Sequence, residues 1–512
     1  MTTSSLAARL ERLGPHPAAA PDARFATGPW LMWTVVALAG LLALRIGVLS
    51  VAGTDLFFDE AQYWAWSEEL AAGYYSKPPL LAWIIRATTD LCGADSTFCI
   101  RLASPLLHTG TALIVFWLAA ALYNARTAFF AILAFATLPG IALSSSIIST
   151  DVPLLFCWAL ALVLFVHLLR APGSWALGLA LGLAIGLGLN AKYAMAYAIG
   201  GAALFFITMP AYRDALARGP LWLALIVAIA CLIPNVMWNI ENGFATLSHT
   251  ADNAKWAGAR FNPGKAAEFF GAQFGVFGPI LFGALLALTW RAWRQGMSDA
   301  DWLLWCFAVP LILMITVQAF ISRAHANWAA VAYVSACVLV VATMVRERAW
   351  RWLSASFVIH VAIVAALAVG VWQAGRFAAP GIGLDPFART VGWAQLAKTV
   401  EREVTRAQTA GQPYGAILTG RRLMSSELAY YLRAHPLPQR AWKAPGGPPR
   451  DHFQQTRPYR GRVPGPLLYA SVKPLPEAIA KTFAAASLVR VDVVPAGLAS
   501  ARTLYLYRLQ PK

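Results

Sequence analysis

Residues 29–64 read PWLMWTVVALAGLLALRIGVLSVAGTDLFFDEAQYW and place a long apolar run directly before a pair of acidic residues. The run Pro29–Ala52 is long enough to cross a bilayer, which takes about 20 apolar residues. Asp59 and Glu60 follow this run, and Lys77 comes soon afterwards in front of two prolines. Because charge beside lipid is costly, such residues usually mark a site that uses them. The stretch therefore predicts a membrane protein whose chemistry takes place at the membrane surface.

The composition of the whole chain supports this class. Of 512 residues, 59% are hydrophobic and 13% are charged, whereas about a quarter of a soluble domain is charged. Repeated apolar runs predict a polytopic α-helical membrane protein of about 11 to 13 spans. The short run Pro78–Leu91 suits an interfacial helix better than a span. The spans expected after the first are Leu102–Tyr123, Thr127–Leu143, Val152–Leu169, Trp175–Leu189, Met195–Met209, Pro220–Trp238, Ala266–Trp290, Trp302–Ile321, Trp328–Val345 and Leu353–Trp372.

The distribution of arginines predicts the orientation. If residues 1–28 form a cytoplasmic tail, every second connection carries arginines, as the positive-inside rule requires. The acidic pair and the C-terminal region then face outwards. We expect a transmembrane catalytic domain over residues 29–374, with a large outer loop at 53–101, and an exported α/β domain over 375–512.

The exported domain is strongly basic. From Arg376 onwards it holds 20 lysines and arginines against 7 acidic residues, which is 13 of the 17 net positive charges of the chain. Nucleic acid is not an expected partner outside the cell. Membrane lipids or an anionic glycolipid fit the charge, and so does a basic solvated surface with no specific ligand. The expected elements are helices at Pro386–Ala407 and Arg422–Arg433, strands at Tyr414–Leu418, Leu467–Ser471, Leu488–Val494 and Thr503–Arg508, and a loop at His435–Pro466.

Three carboxylates at the predicted outer face are candidate catalytic residues. They are Asp59, Glu60 and Asp151, and a carboxylate at this position can deprotonate an acceptor hydroxyl, polarise it or bind a metal. Structural alternatives remain for all three. The segment 59–70 could be an interfacial helix without a catalytic role, and Asp151, which follows Thr150 and precedes Pro153, is at a common helix-start position.

Four cations are candidate ligands of a phosphate at headgroup depth. They are Lys77, Arg101, Lys192 and Arg45. Arg101 and Lys192 could instead be snorkelling anchors, and Arg45 could form an ion pair with an acid of the adjoining loop. Acidic groups near phosphate-binding cations indicate chemistry on a lipid-linked phosphate.

Two of the six cysteines lie together in the outer loop. Cys92 and Cys99 could form a disulfide, which is chemically permitted outside the cytoplasm. Two unpaired thiols are the alternative. The remaining cysteines fall within predicted spans and suit packing.

Four motifs carry a family resemblance. They begin at Phe58 (FDEAQYW), Tyr75 (YSKPPL), Arg101 (RLASP) and Ser149 (STDVPLLF). Together they resemble the membrane glycosyltransferases of the protein O-mannosyltransferase and lipid A aminoarabinose transferase superfamily, which have the GT-C fold. The resemblance is specific over residues 55–156. It is looser beyond, in GLNAKY at 188–193, ANW at 326–328 and SSELAYYL at 425–432.

The resemblance implies an inverting transfer of a sugar from a polyprenyl phosphate to an envelope glycolipid, either lipopolysaccharide core or lipid A. The active site would face the periplasm from the bacterial inner membrane. No metal or other cofactor is required, and the lipid-linked sugar is a co-substrate. By the same resemblance Asp59 is the base or the residue that orients the acceptor, and Glu60 orients Asp59 or the first loop. Lys77 stabilises the departing phosphate and Asp151 binds sugar or acceptor, while the remaining candidates for substrate binding are Gln62, Tyr63 and Tyr75.

One position departs from the aminoarabinose transferases. Their first motif resembles Asp-Glu-Thr-Arg-Tyr, whereas this chain has Gln62 at the arginine position, and an amide cannot replace a guanidinium. Either Arg45, Arg101 or Lys192 supplies the missing charge, or the donor differs. The motifs look closer to enzymes that attach uronic acids or hexoses. Two alternatives stay open, namely a protein O-glycosyltransferase with the same chemistry and a non-enzymatic lipid or sugar transporter.

Overall fold

A computed structural model describes residues 29–254, 261–374, 387–461, 463–497 and 500–512. Three predictions fall at least partly outside these ranges. They concern the tail 1–28, the domain start at residue 375, and Pro386, the first residue of the predicted helix Pro386–Ala407. The chain divides into two compact units. The membrane unit comprises Met1–Gly47, Lys77–Leu81 and Leu102–Leu367, and the loop-and-tail unit comprises Val48–Ser76, Ala82–Arg101 and Ala368–Lys512. Most of the loop 53–101, predicted to belong with the transmembrane segment, is thus grouped with the C-terminal region.

The chain is a multi-pass membrane protein. Within the described ranges, six helices are long and apolar enough to cross a membrane, and a bent pair would make a seventh. The six are Pro29–Ser50, Thr97–Leu122, Asp151–Arg170, Gly219–Glu241, Asp299–Ile321 and Trp350–Trp372, and the shorter apolar helices are Ala125–Thr137, Trp175–Ala191, Tyr193–Thr208 and Ala332–Arg346. Local breaks divide three of these segments, after Arg101, Cys306 and Ala196. The other helices of this unit are Pro139–Ser144, Ala245–Ala254, Pro263–Val276 and Pro279–Gln295. Short 3-10 turns lie at Pro210–Ala215 and Ala326–Ala329.

Two further predicted spans are interrupted. The segment Ala266–Trp290 bends by 116° between Val276 and Pro279. Gly278 adopts a φ of 88° at the bend, and any side chain there would collide with the ring of His360. The segment Thr127–Leu143 breaks where Leu138 becomes extended before Pro139, because proline cannot donate the next helical hydrogen bond.

Glycines allow one close helix pair in the membrane unit. The helix Trp175–Ala191 carries Gly178 and Gly182 one turn apart, facing the helix Gly219–Glu241. A Cβ at Gly182 would lie 2.6 Å from the carbonyl oxygen of Ala224. Small residues at this spacing let two backbones approach each other, which favours helix association in lipid.

The loop-and-tail unit contains one mixed sheet. Its strands are β1 (Ala416–Thr419), β2 (Gln439–Ala441), β3 (Leu467–Ser471), β4 (Ala485–Pro495) and β5 (Ala501–Gln510), in the order β2-β1-β3-β5-β4. The pairs β2-β1 and β1-β3 are parallel, and β3-β5 and β5-β4 are antiparallel. Strands β1 and β3 are wholly buried, as expected for strands covered on both faces. The helices of this unit are Phe58–Ser67, Leu80–Cys92, Thr97–Arg101, Trp393–Thr409, Arg422–Tyr431, His452–Thr456 and Glu477–Ala480, with a 3-10 turn at Ala388–Thr390.

The segment His435–Pro466 is more ordered than predicted. It contains the short strand β2 and the helix His452–Thr456. Asp451 caps that helix by accepting the backbone N–H of Gln454 at 2.9 Å. A three-residue strand and a five-residue helix are too short to show a hydrophobic period. The prediction of a loop therefore rested on the prolines of this segment.

The first loop joins the C-terminal region through two helices, which we call the loop helix (Phe58–Ser67) and the tail helix (Arg422–Tyr431). Trp64 meets the ring of Tyr430 edge-on at 5.1 Å. The backbone N–H of Leu56 donates to the Tyr431 hydroxyl at 2.8 Å. These contacts explain why the loop and the tail form one compact unit.

Two further features tie the loop down. Asp55 accepts the backbone N–H of Trp393 at 2.7 Å, at the start of the helix Trp393–Thr409, where a carboxylate is favoured by the helix dipole. Cys92 and Cys99 are joined in a disulfide with their Cα atoms 6.1 Å apart.

Candidate active site

The loop helix presents one of its two acids to solvent. Eight of its ten residues, from Glu60 to Ser67, are buried. Asp59 precedes this buried run, and its side chain is 32% exposed. Glu60 turns inwards and accepts the backbone N–H of Phe57 at 2.9 Å, which satisfies a free donor at the helix start. The adjacent acids therefore have different surroundings.

Glu60 forms a buried ion pair with Arg101. The two side chains are 2% and 1% exposed, and Nη2 of Arg101 lies 2.7 Å from Oε2 of Glu60. Five hydrogen bonds from Arg101 reach the Glu60 carboxylate, both oxygens of Thr54 and the carbonyl of Asp55, which uses all the N–H donors of a guanidinium. The structure thus assigns Arg101 to holding the first loop and leaves it no donor for the phosphate that the sequence had suggested.

Asp59 is paired with a residue that the sequence did not single out. Nη2 of Arg422, at the start of the tail helix, lies 3.0 Å from Oδ1 of Asp59. Nη1 of the same guanidinium lies 3.5 Å from the amide oxygen of Gln62. The guanidinium carbon also lies 4.7 Å from the centre of the Phe58 ring. One arginine therefore contacts three positions on a single face of the loop helix.

The candidate substrate-binding residues of the loop differ in accessibility. Tyr63 is 6% exposed and packs its ring 5.1 Å from that of Trp66. Gln62 is also buried, and its amide nitrogen donates to the hydroxyl of Ser76 at 3.4 Å. Tyr75 is half-buried and donates to the carbonyl of Pro449 at 3.0 Å. Tyr63 thus has the surroundings of a core residue, while Gln62 faces Arg422.

A second cluster forms around Asp151 in the membrane unit. Asp151 is the first residue of the helix Asp151–Arg170. Its Oδ1 accepts from Nζ of Lys192 at 2.7 Å, and its Oδ2 accepts from Nδ2 of Asn327 at 2.6 Å. Thr150, at the cap position, makes no side-chain capping bond. We call Asp151, Lys192 and Asn327 the mouth cluster. Asn327 was not predicted, although ANW at 326–328 belongs to the weaker part of the resemblance.

The other two predicted cations also belong to the membrane unit. Arg45 is 9% exposed, and its Nη2 donates to the carbonyl of Ala136 at 2.5 Å. The hydrogen bond that the structure gives Arg45 thus goes to a backbone carbonyl and not to an acid of the adjoining loop. Lys77 is half-buried, and Pro78 and Pro79 behind it are buried. Lys77 is accessible enough to meet a ligand, and Arg45 is not.

A further acid lies on the tail helix. Glu427 of the tail helix is fully buried, and neither of its carboxylate oxygens has a hydrogen-bond partner among the described residues. Burial, together with the nearby charge of Asp55, raises the pKa of Glu427 well above its usual range. Burial also raises the pKa of Asp55, although hydrogen bonds from backbone N–H groups oppose the change. Glu427 is therefore neutral, as an unpaired buried carboxyl must be.

This arrangement limits what each group can do. Asp59 is an accessible carboxylate held by a guanidinium, which suits proton transfer from a hydroxyl. The mouth cluster presents an acid, a cation and an amide, which suits binding of a polar ligand. In the part of the chain that the structure describes, no three His, Cys, Asp or Glu side chains are grouped so as to hold a metal ion.

Comparisons with known proteins give the family. A family model described as dolichyl-phosphate-mannose-protein mannosyltransferase matches residues 76–238. Lipid A galacturonosyltransferase RgtD of Rhizobium johnstonii is 34% identical over 431 residues, which is 84% of this chain and 89% of that protein. Identity at this level over nearly the whole of both chains shows common family membership.

Solved structures agree on the fold. ArnT from Cupriavidus metallidurans in the apo state has a TM-score of 0.61 at 18% identity and covers 94% of this chain and 98% of its own. The ArnT structure bound to undecaprenyl phosphate also has a TM-score of 0.61 at 18% identity, over 93% and 98% of the two chains. The chain therefore belongs to the GT-C membrane glycosyltransferases of the protein O-mannosyltransferase and lipid A aminoarabinose transferase superfamily, and it is a glycosyltransferase.

Proposed function

We propose that this enzyme transfers a uronic acid from a polyprenyl-phosphate donor to lipid A, at the periplasmic face of the bacterial inner membrane. The observation that carries the proposal is the 34% identity with a lipid A galacturonosyltransferase across 89% of that protein. The GT-C fold shared with ArnT supports it independently. The accessible carboxylate of Asp59 supplies a group able to perform the reaction.

The reaction is a direct displacement at the anomeric carbon of the donor sugar. Asp59 accepts the proton of an acceptor hydroxyl while the hydroxyl oxygen attacks this carbon. The bond between the anomeric carbon and the phosphate oxygen breaks as the new glycosidic bond forms, with inversion of configuration. Polyprenyl phosphate leaves with the electron pair of the broken bond.

Cations and polar groups have supporting roles in this scheme. Lys77 stabilises the negative charge that develops on the leaving phosphate, as preorganised charge does in a water-poor site. Asp151 binds hydroxyls of the sugar or acceptor, with its carboxylate held by Lys192 and Asn327. Glu60 and Arg101 keep the loop helix in place and contact no substrate.

A carboxylated sugar suits the charge of the protein. The region from residue 376 onwards carries 13 of the 17 net positive charges. An arginine fork pairs well with a carboxylate or a phosphate. A uronic acid brings a carboxylate that such a charge can bind, and a neutral hexose lacks this group.

Mass spectrometry of lipid A and core oligosaccharide tests the proposal. The samples are wild-type cells, a deletion strain, and the deletion strain carrying wild-type, Asp59→Asn or Glu69→Gln protein. Glu69 is the matched control because it lies just beyond the loop helix and its side chain is 72% exposed. We expect the lipid A of the deletion and Asp59→Asn strains to lack one uronic acid, and that of the Glu69→Gln strain to match the wild type.

Other outcomes would redirect the assignment. A loss with the mass of a hexose would retain the transferase and change the donor. An unaltered set of glycolipids, with glycopeptides missing in the deletion strain, would indicate a protein O-glycosyltransferase. Normal modification by Asp59→Asn protein would remove Asp59 as the base.

A further inference from the structure

We propose that Arg422 of the tail helix is a positioning residue for the reaction, because it holds the Asp59 carboxylate in the orientation needed to accept a proton. The inference rests on the proposed function and extends it, since it makes the C-terminal region part of the catalytic machinery. It arises from an ion pair between side chains that lie far apart in the sequence.

The contacts of Arg422 define the orientation of the loop-helix face. Phe58, Asp59 and Gln62 lie on neighbouring positions of the helix surface. The guanidinium stacks at 4.7 Å on the Phe58 ring, lies 3.0 Å from Asp59 and 3.5 Å from the Gln62 oxygen. A planar fork with fixed donors can make these contacts together, whereas the single ammonium of a lysine cannot.

Stability alone does not account for this pair. Both side chains are 32% exposed, and ion pairs with this accessibility contribute little to folding. The loop and tail helices are already joined by the rings of Trp64 and Tyr430 and by the Tyr431 hydroxyl. The unit therefore does not depend on Arg422 to fold.

Catalysis has a stronger requirement for the pair. A general base must lie within hydrogen-bond reach of the proton it removes, and displacement of a reacting group by about 1 Å can cost on the order of 100-fold in rate. Asp59 is at an exposed helix start, where its side chain would otherwise rotate freely. Arg422 selects one orientation while leaving the carboxylate accessible.

Kinetics on the full-length enzyme in lipid nanodiscs test this role. We would measure kcat and KM for the lipid-linked donor with wild type, Arg422→Ala, Arg422→Lys and Arg421→Ala. Arg421 is the matched control because it is the adjacent, exposed arginine. We expect Arg422→Ala to lower kcat by about 10- to 100-fold with KM changed less than about threefold, Arg422→Lys to recover little, and Arg421→Ala to match wild type.

Chemical rescue separates positioning from folding. Because the site is partly open, free guanidinium at millimolar concentration should restore part of the activity of Arg422→Ala. It should not restore Asp59→Asn, where the base itself is gone. The melting temperatures of wild type and Arg422→Ala in the same nanodiscs should agree.

Each remaining result is decisive. Wild-type turnover with an equally active Arg422→Ala variant would overturn the inference and leave the proposed function standing. A lower melting temperature without guanidinium rescue would assign Arg422 a structural role and would also overturn it. Absence of sugar transfer by the wild-type enzyme from any polyprenyl-phosphate donor would overturn the proposed function, and this inference with it.

Discussion

Asp59 and Glu60 are chemically similar neighbours with different surroundings. The Glu60 carboxylate is buried against Arg101, whereas Asp59 is one-third exposed. Removing one partner of a buried ion pair leaves an uncompensated charge, which typically costs about 3–5 kcal/mol. We expect Glu60→Gln to reduce the free energy of unfolding by about 3 kcal/mol, measured as thermal denaturation of the detergent-solubilised protein.

The comparison with Asp59→Asn makes this prediction specific. Asp59→Asn removes one member of an exposed pair, so its stability should change by less than about 1 kcal/mol. Glu60→Gln protein as stable as wild type would contradict the assignment of Glu60 and Arg101 to holding the loop. An inactive but fully stable Glu60→Gln enzyme would make Glu60 a direct participant in the reaction.

The mouth cluster gives a second prediction for a single residue. Asn327→Leu keeps the approximate size of the side chain and removes the donor to Oδ2 of Asp151, which lies 2.6 Å away. Lys192 still neutralises the carboxylate at 2.7 Å, so the protein should remain folded. Loss of one hydrogen bond to a charged group is worth about 1.5–3 kcal/mol, and we expect the transfer rate to fall by about tenfold. An unchanged rate in the same nanodisc assay would show that Asp151 does not need Asn327.

Among the structural elements, the disulfide constrains a short segment of the first loop. Cys92 and Cys99 are separated by seven positions, and closing a loop of this length stabilises a protein by about 2.5 kcal/mol in the chain-entropy model. We expect the Cys92→Ser/Cys99→Ser variant to have a lower melting temperature than the wild type, and this lower temperature to be insensitive to a reducing agent. Cys231→Ser, at a free half-buried cysteine, is the control. Equal stability of all three proteins would contradict a structural role for the disulfide.

The tail helix carries an element-scale prediction about pH. The folded-state pKa of Glu427 lies well above its ordinary value of 4.5, so between the two values the folded protein binds more protons than the unfolded chain. The free energy of unfolding must therefore fall as pH rises above about 4.5. We expect Glu427→Gln to remove this slope and to stabilise the protein at pH 8 by about 1–2 kcal/mol, since it no longer buries an ionisable group without a partner.

Melting curves of the full chain between pH 5 and pH 8 check that slope. Glu401→Gln, at an exposed acid on the helix Trp393–Thr409, should keep the wild-type pH dependence. A Glu427→Gln protein with an unchanged slope would show that other groups cause it.

The accuracy of the sequence predictions for these elements follows from their length. Long apolar runs placed the helix Asp151–Arg170 within a residue or so of its ends, and a short apolar run placed β3 at Leu467–Ser471 without error. The bend at Gly278 was missed because one glycine with a positive φ does not interrupt an apolar run. Strand β2 was missed because three residues have no measurable period.

At the scale of the whole molecule, the sequence could indicate which residues carry charge but not which of them meet. Gln62 and Arg422 lie 360 residues apart, and no local pattern couples positions at that distance. The departure at Gln62 predicts either that a cation comes from elsewhere in the chain or that the donor differs. Arg45, Arg101 and Lys192 lie in or beside predicted spans, whereas Arg422 belongs to a region that the sequence predicts as a separate domain.

The division of the chain into units gives the last prediction. The buried face of the loop helix contacts the tail helix through Trp64 and Tyr430, so a chain ended after Trp372 would expose that face to water. Segments without buried partners open readily, and their amide hydrogens exchange fast. We expect the amide hydrogens of residues 58–67 in the truncated protein to lose at least about 100-fold in protection from exchange, which corresponds to roughly 2.7 kcal/mol of local stability. The helix Asp151–Arg170 should keep its protection, because 72% of its apolar window is buried. Unchanged exchange at 58–67 would mean that the first loop folds without the tail.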